Sequence, residues 1–331
     1  MNRPVLVERG INYDVGTRYG RYLLSRRTWS PELVRRELLV IRDRLHCNAV
    51  TLFGGKTDRL LQAAETALEL GLVTWVQPRL VDVEPPAVLA VLAEVAARLE
   101  PLRRRWPEVG LNLGCELSLF VGGSMPGNHL LTRAARLPQR WTQLPWFNHR
   151  LRRLLDRALS VARARFGGRI TYSAGLWEEV DWTEFDFVGM NLYRSAENQR
   201  TYLDDLRALH KHGKPVLITE FGCATFRGAA VEGANGDEVV SWRFFGARPR
   251  PGTVRNETEQ ADYLAQLIEL FRSERVHGAY VFEFVEELLR HSHKPHKDLD
   301  VASFGVVKVG ADGTRTPKEA FHRLARAYGE K

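Results

Sequence analysis

Short apolar runs alternate with amphipathic stretches along the whole chain, and that rhythm constrains the fold more than any single motif. Two parallel strands need a crossover of about a dozen residues or more, usually a helix. The rhythm therefore predicts a parallel sheet covered by helices. Strands are expected at 9–14, 49–53, 73–77, 170–174, 187–193 and 279–284, with two more in the runs that end at Glu116 and Glu220. Ser30 and Pro31 supply a helix cap and a first-turn proline, and Val34, Leu38, Ile41 and Leu45 come next at helical spacing. Further helices are expected near 58–70, 85–104, 146–165, 202–212, 257–274 and 318–327. The stretch between the fifth and sixth strands is too short for a full helix.

Eight strands without a linker or a composition break predict one closed (β/α)8 TIM barrel over residues 1–331. A chain of 331 residues suits a barrel of about 250 with loop insertions. An open doubly wound sheet more often carries a glycine-rich phosphate loop after its first strand. Here that turn, Asp14-Val15-Gly16-Thr17-Arg18-Tyr19-Gly20, matches neither dinucleotide nor P-loop patterns. Two long loops are expected above the barrel. The first, 120–141, reads as irregular; the second, 222–255, is glycine-rich and carries Trp242, Phe244 and Phe245.

No apolar stretch reaches the roughly 18 residues that span a bilayer, and the first ten residues lack a signal-peptide layout. A cytoplasmic protein with no membrane partner is expected. Cys47, Cys115 and Cys223 are odd in number and widely spaced, so neither a disulfide framework nor a zinc motif is indicated. The net charge is +8, but the basic residues are spread along helical faces and no nucleic-acid module accompanies them. Nucleic acid is not an expected partner. The histidines at 291, 293 and 296 read as a polar loop after the last strand. No metal or other cofactor is expected, and the chain is read as a monomer or small homo-oligomer.

The chemistry gathers at the C-terminal tips of the strands, which form the active face of such barrels. Glu116 and Glu220 are tip carboxylates on the fourth and seventh strands. A pair facing one another across a barrel mouth performs retaining glycoside hydrolysis. Asn12, Tyr13 and Asp14, Asn112, Trp177, Asn191, Phe282 and Glu283 sit at other tips. Aromatics, amides and carboxylates around one concavity suit a carbohydrate substrate. Glu283 is expected either to bind hydroxyls or to pair with a barrel arginine such as Arg9.

Several stretches resemble clan A of the retaining glycoside hydrolases. Ile218-Thr219-Glu220-Phe221-Gly222 is similar to that clan's nucleophile motif, and Gly189-Met190-Asn191-Leu192-Tyr193 resembles its sixth strand. The tail from Ser303-Phe304-Gly305-Val306-Val307 through Asp312-Gly313 to Pro317-Lys318-Glu319-Ala320-Phe321 is similar to the clan's ending. The resemblance implies Glu116 as acid/base, Glu220 as nucleophile and Tyr193 as the residue bonded to the nucleophile. Two positions depart from the pattern: Cys115 stands where the clan has Asn before the acid/base, and Phe282 where it has a Trp sugar platform. A second likeness, over residues 221–230 and 298–308, is to actinobacterial proteins labelled abortive infection protein. That likeness and the two departures frame an alternative: a carbohydrate-binding barrel without activity, with a role in phage defence.

Overall fold

The computed structural model describes residues 5–20, 23–137, 142–243 and 246–329. Its central element is an eight-stranded parallel sheet. The strands are β1 (Glu8–Gly16), β2 (Ala49–Gly54), β3 (Val73–Pro78), β4 (Gly110–Cys115), β5 (Arg169–Ser173), β6 (Val188–Asn191), β7 (Val216–Phe221) and β8 (Gly278–Val281). Their spatial order is β5-β4-β3-β2-β1-β8-β7-β6. A parallel bridge between Ala174 and Met190 joins the two edges and closes the ring. The chain is a (β/α)8 barrel.

Side chains alternate across a strand, so each strand feeds two cores. On β1, Ile11, Tyr13 and Val15 join the large core between barrel and helices. Gly10 faces inward, where an added Cβ would meet the Tyr280 ring at 2.2 Å. A separate cluster of Ala49, Trp75, Phe187, Leu217 and Tyr280 packs at the barrel floor.

The helices form where the apolar spacing places them. Ser30 caps α1 (Pro31–Asp43), its hydroxyl accepting from the Leu33 amide at 3.1 Å. Val34, Leu38 and Ile41 of α1 are buried against the barrel, each worth about 1.5–3 kcal/mol when fully buried. Next come α2 (Thr57–Glu69) and α3 (Pro85–Arg105). No helix forms between β5 and β6; Trp182 and Phe185 cover that sector, edge to face at 5.3 Å.

The first long loop is more ordered than its composition implies. α4 (Leu117–Phe120) leads into it, and it holds α5 (Leu130–Arg136) ahead of α6 (Leu144–Arg163). The reason is Arg133. It is fully buried and donates to the carbonyls of Leu119, Gly127 and Phe120 at 2.5, 2.9 and 3.1 Å, and to Asp82 at 2.6 Å. Residues 138–141, the end of that expected loop, lie outside the described residues. After α7 (Tyr202–Leu209), the second long loop contains α8 (Ala229–Glu232) and a ribbon pairing Val240–Arg243 with Gly246–Pro249. Phe244 and Phe245 lie outside the described residues. The helices α9 (Glu257–Ser273) and α10 (Glu319–Gly329) complete the outer layer. No described helix is long and apolar enough to cross a membrane.

Candidate active site

Strict alternation does not bring both glutamates into the mouth; strand irregularities do. Opposite β5, strand β4 carries one extra residue: Asn112 pairs with Thr171 and Cys115 with Ser173. Opposite β6, strand β7 does the same: Met190 pairs with Ile218 and Asn191 with Glu220. An extra residue re-aims the side chains beyond it. Cys115 thus reaches the mouth, as does Glu220 directly after the inward Thr219, and both join Glu116, which is in phase with the inward-facing Gly110. Gly114, at φ 147°, makes the first turn possible. Glu116 lies in the left-handed region at φ 42°, ψ 51°, a conformation that costs a non-glycine residue on the order of 1–2 kcal/mol.

That strained position is held from several sides. The Glu116 amide donates to Ser173 O at 2.9 Å, and the Leu117 amide donates to the Tyr172 hydroxyl at 2.6 Å. Glu178 accepts from the Ser118 amide at 3.0 Å, the Tyr172 hydroxyl at 2.8 Å and the Gly175 amide at 3.1 Å. Asn191 donates to Glu116 Oε1 at 3.0 Å and approaches Cys115 Sγ at 3.3 Å. The Cys115 thiol in turn lies 3.6 Å from Glu220 Oε1. Two side chains therefore bridge the two carboxyl groups.

Glu220 is 5% exposed. Tyr193 donates its hydroxyl to Glu220 Oε2 at 3.1 Å. Arg79 forms a buried ion pair with Glu220 Oε1 and also donates to Gln77 Oε1 at 2.6 Å. The Arg79 guanidinium lies 3.9 Å from the centre of the Phe53 ring. Sequence reasoning missed Arg79. The signal was present, because Arg79 immediately succeeds β3 and so occupies a strand tip like the glutamates. Burial, then the neighbouring Glu220, pushes the Glu116 carboxyl up to about 8. Burial also raises the Cys115 thiol well above its usual range, so it sits there as a neutral thiol.

A cavity of about 770 Å³ opens above these groups. Asp14, Phe282 and Glu283 line it together with Glu116, Tyr193 and Glu220. Phe282 stacks on Phe53 with ring centres 5.8 Å apart, and the Phe282–Glu283 peptide is cis. Trp242 stands on the rim, 59% exposed.

Other expected contacts fall elsewhere. Tyr13 points outward, as its place in the alternation requires, and donates to Glu37 of α1 at 2.6 Å. Asn12 faces inward but lies below the mouth, donating to Thr219 O at 2.9 Å. Asn112 is spent on Ser173, at 2.7 Å, and on the Gly114 amide. Trp177 turns to Ser118, donating to its hydroxyl at 3.0 Å, and packs with Phe147 under the first long loop. Asn191 does not line the cavity wall but bears on Glu116 directly. Arg9 does not pair with Glu283; its side chain faces out and donates Nε to the His46 carbonyl at 3.4 Å. Among the described residues no cluster fit to hold a metal ion occurs. His291 instead bonds Asp298 at 3.0 Å.

No protein-family model and no curated protein matches the chain. Solved structures do. A GH113 β-1,4-mannanase aligns over 98% of this chain and 99% of its own, with a TM-score of 0.61 at 16% identity. An endogalactoceramidase aligns over 98% and 81%, at 0.55 and 14%. The family 1 β-glucosidase from Thermotoga maritima aligns over 99% and 98%, at 0.54 and 12%. The fold neighbours are thus glycoside hydrolases of clan A, and at these identities the likeness is one of fold. The likeness to abortive infection proteins gains no support from any match.

Proposed function

We propose that this protein is a retaining glycoside hydrolase that cleaves a β-type glycosidic bond by double displacement. One observation carries the reading: two glutamates border one cavity, Glu116 with its proton-bound form favoured and Glu220 ion-paired with Arg79. That division of labour is what an acid and a nucleophile need. Glu220 attacks the anomeric carbon while Glu116 protonates the departing oxygen, giving a glycosyl–enzyme ester. Glu116, now ionised, takes a proton from water as that water displaces Glu220. Retention calls for carboxyl groups about 5–5.5 Å apart, and the short bridge through Cys115 and Asn191 supports such closeness. Tyr193 orients Glu220. The names of the fold neighbours, a β-mannanase and a β-glucosidase, agree with a β-linked substrate.

The test uses activated aryl glycosides. Glu220→Ala should abolish turnover, and azide should restore it with formation of the anomerically inverted glycosyl azide. Glu116→Gln should be slow on substrates with poor leaving groups. Unchanged turnover in either variant ends the reading.

Cys115 favours a second reading, a barrel that binds sugar without cleaving it, because a thiol is a poor donor to a sugar hydroxyl. A covalent adduct on Glu220 with a 2-fluoro glycoside would dispose of that alternative. Tight sugar binding with no adduct and no turnover would establish it.

A further inference from the structure

Glu283 is 4% exposed and lines the cavity, yet its Oε2 makes no hydrogen bond. A buried carboxyl without a partner is unfavourable, and the surroundings add to the difficulty. The charges that bear on it are Glu286 on the same segment, Asp14 on β1, Glu220 on β7, and Arg79 beyond β3. Arg79 is already committed to Glu220 and Gln77. Asp14 and Glu286 have partners of their own, the Gly16 and Phe304 amides, each at 2.7 Å. Lys318 bears on Glu286 from below but is paired with Asp300 at 3.1 Å. Among the described residues, carboxyl groups thus crowd one end of the cavity and no uncommitted cation bears on Glu283. The chain as a whole carries a net charge of +8, so this acidic end does not come from composition.

We propose that Glu283 receives a protonated amino group of the substrate, so that the glycoside recognised is one of a free amino sugar. The inference rests on the glycosidase reading for its chemistry, though not for the binding itself. A sugar hydroxyl offers Glu283 one hydrogen bond. An ammonium offers three donors and the missing charge. N-acetylation removes that charge, so acetylated sugars lose the advantage. Burial and the neighbouring carboxylates hold the Glu283 carboxyl well above the usual carboxylate range.

Calorimetric titration of the full chain near neutral pH decides the matter. The ligands are glucosamine, galactosamine and mannosamine, each set against glucose, galactose and mannose. At least one amino sugar should bind about tenfold more tightly than its neutral parent, or better. Glu283→Gln should bring the ratio close to one. Parent sugars that bind as tightly as all three amino sugars overturn the proposal in the unmodified protein alone, whatever the variant does. A preference that survives in folded Glu283→Gln overturns it as well. Turnover of aryl glycosides is read separately. Amino-sugar preference without turnover sinks only the glycosidase reading, and turnover of neutral glycosides without that preference sinks only this one.

Discussion

Replacing Glu220 by Gln should make Glu116 a stronger acid. Glu116 sits at about 8 because burial disfavours its charge and because Glu220 repels it, in that order. Gln keeps the shape of the side chain and removes the charge. Two carboxylates about 5.5 Å apart at an effective dielectric of about 20 repel by roughly 3 kcal/mol. Water in the open mouth screens part of this, so the Glu116 pKa should fall by roughly 1 to 2. It should stay above 4.5, the ordinary value for Glu, since burial is the larger cause and persists in the variant. Carbon-13 NMR of glutamate-labelled protein reads the side-chain carboxyl directly, with Glu116→Gln identifying the resonance. A Glu116 that titrates at the same pH or higher in Glu220→Gln would refute the coupling, and with it the claim that the two groups share one site.

On aryl glycosides, kcat/KM should decline as pH rises through about 8, when Glu116 loses the proton it must donate. Asn191→Ala removes a hydrogen bond that favours the ionised form, so this limb should move to higher pH; movement to lower pH contradicts the assignment. Arg79→Met leaves Glu220 buried without its countercharge and should cost about 3–5 kcal/mol in urea unfolding, whereas a loss under about 1 kcal/mol would place the pair in a wetter site. Trp242→Ala at the exposed rim should raise KM for oligosaccharides by about two- to tenfold. It should leave aryl monosaccharides alone, and equal effects on both would remove Trp242 from the substrate path.

Much of the site was legible because strand tips can be found from local pattern. The runs ending at Glu116 and Glu220 read as buried strands, and Asp14, Tyr193, Phe282 and Glu283 emerge from the same rule. The rule weakens where direction matters. Tyr13 sits at a tip but one step out of phase, so it serves α1 through Glu37. Trp177 sits in a connection whose path depends on Ser118 and Phe147, residues far from it in the chain. The first long loop looked irregular because its order comes from Arg133 finding carbonyls and Asp82 across the barrel top, a match no local window contains.

By itself the sequence determined the barrel, since periodic burial and crossover length are local properties of a chain. It also determined which carboxylates stand at strand ends. Only the tertiary structure decided that Glu116 and Glu220 meet at one mouth. One extra residue in β7 turns Glu220 into the mouth and one in β4 turns Cys115 in beside Glu116, and a bulge exists only relative to the neighbouring strand. The pairing of Arg79 with Glu220 and the isolation of Glu283 have the same origin. Charge balance in a buried site is set by which tips meet across the mouth, and distances along the chain do not contain it.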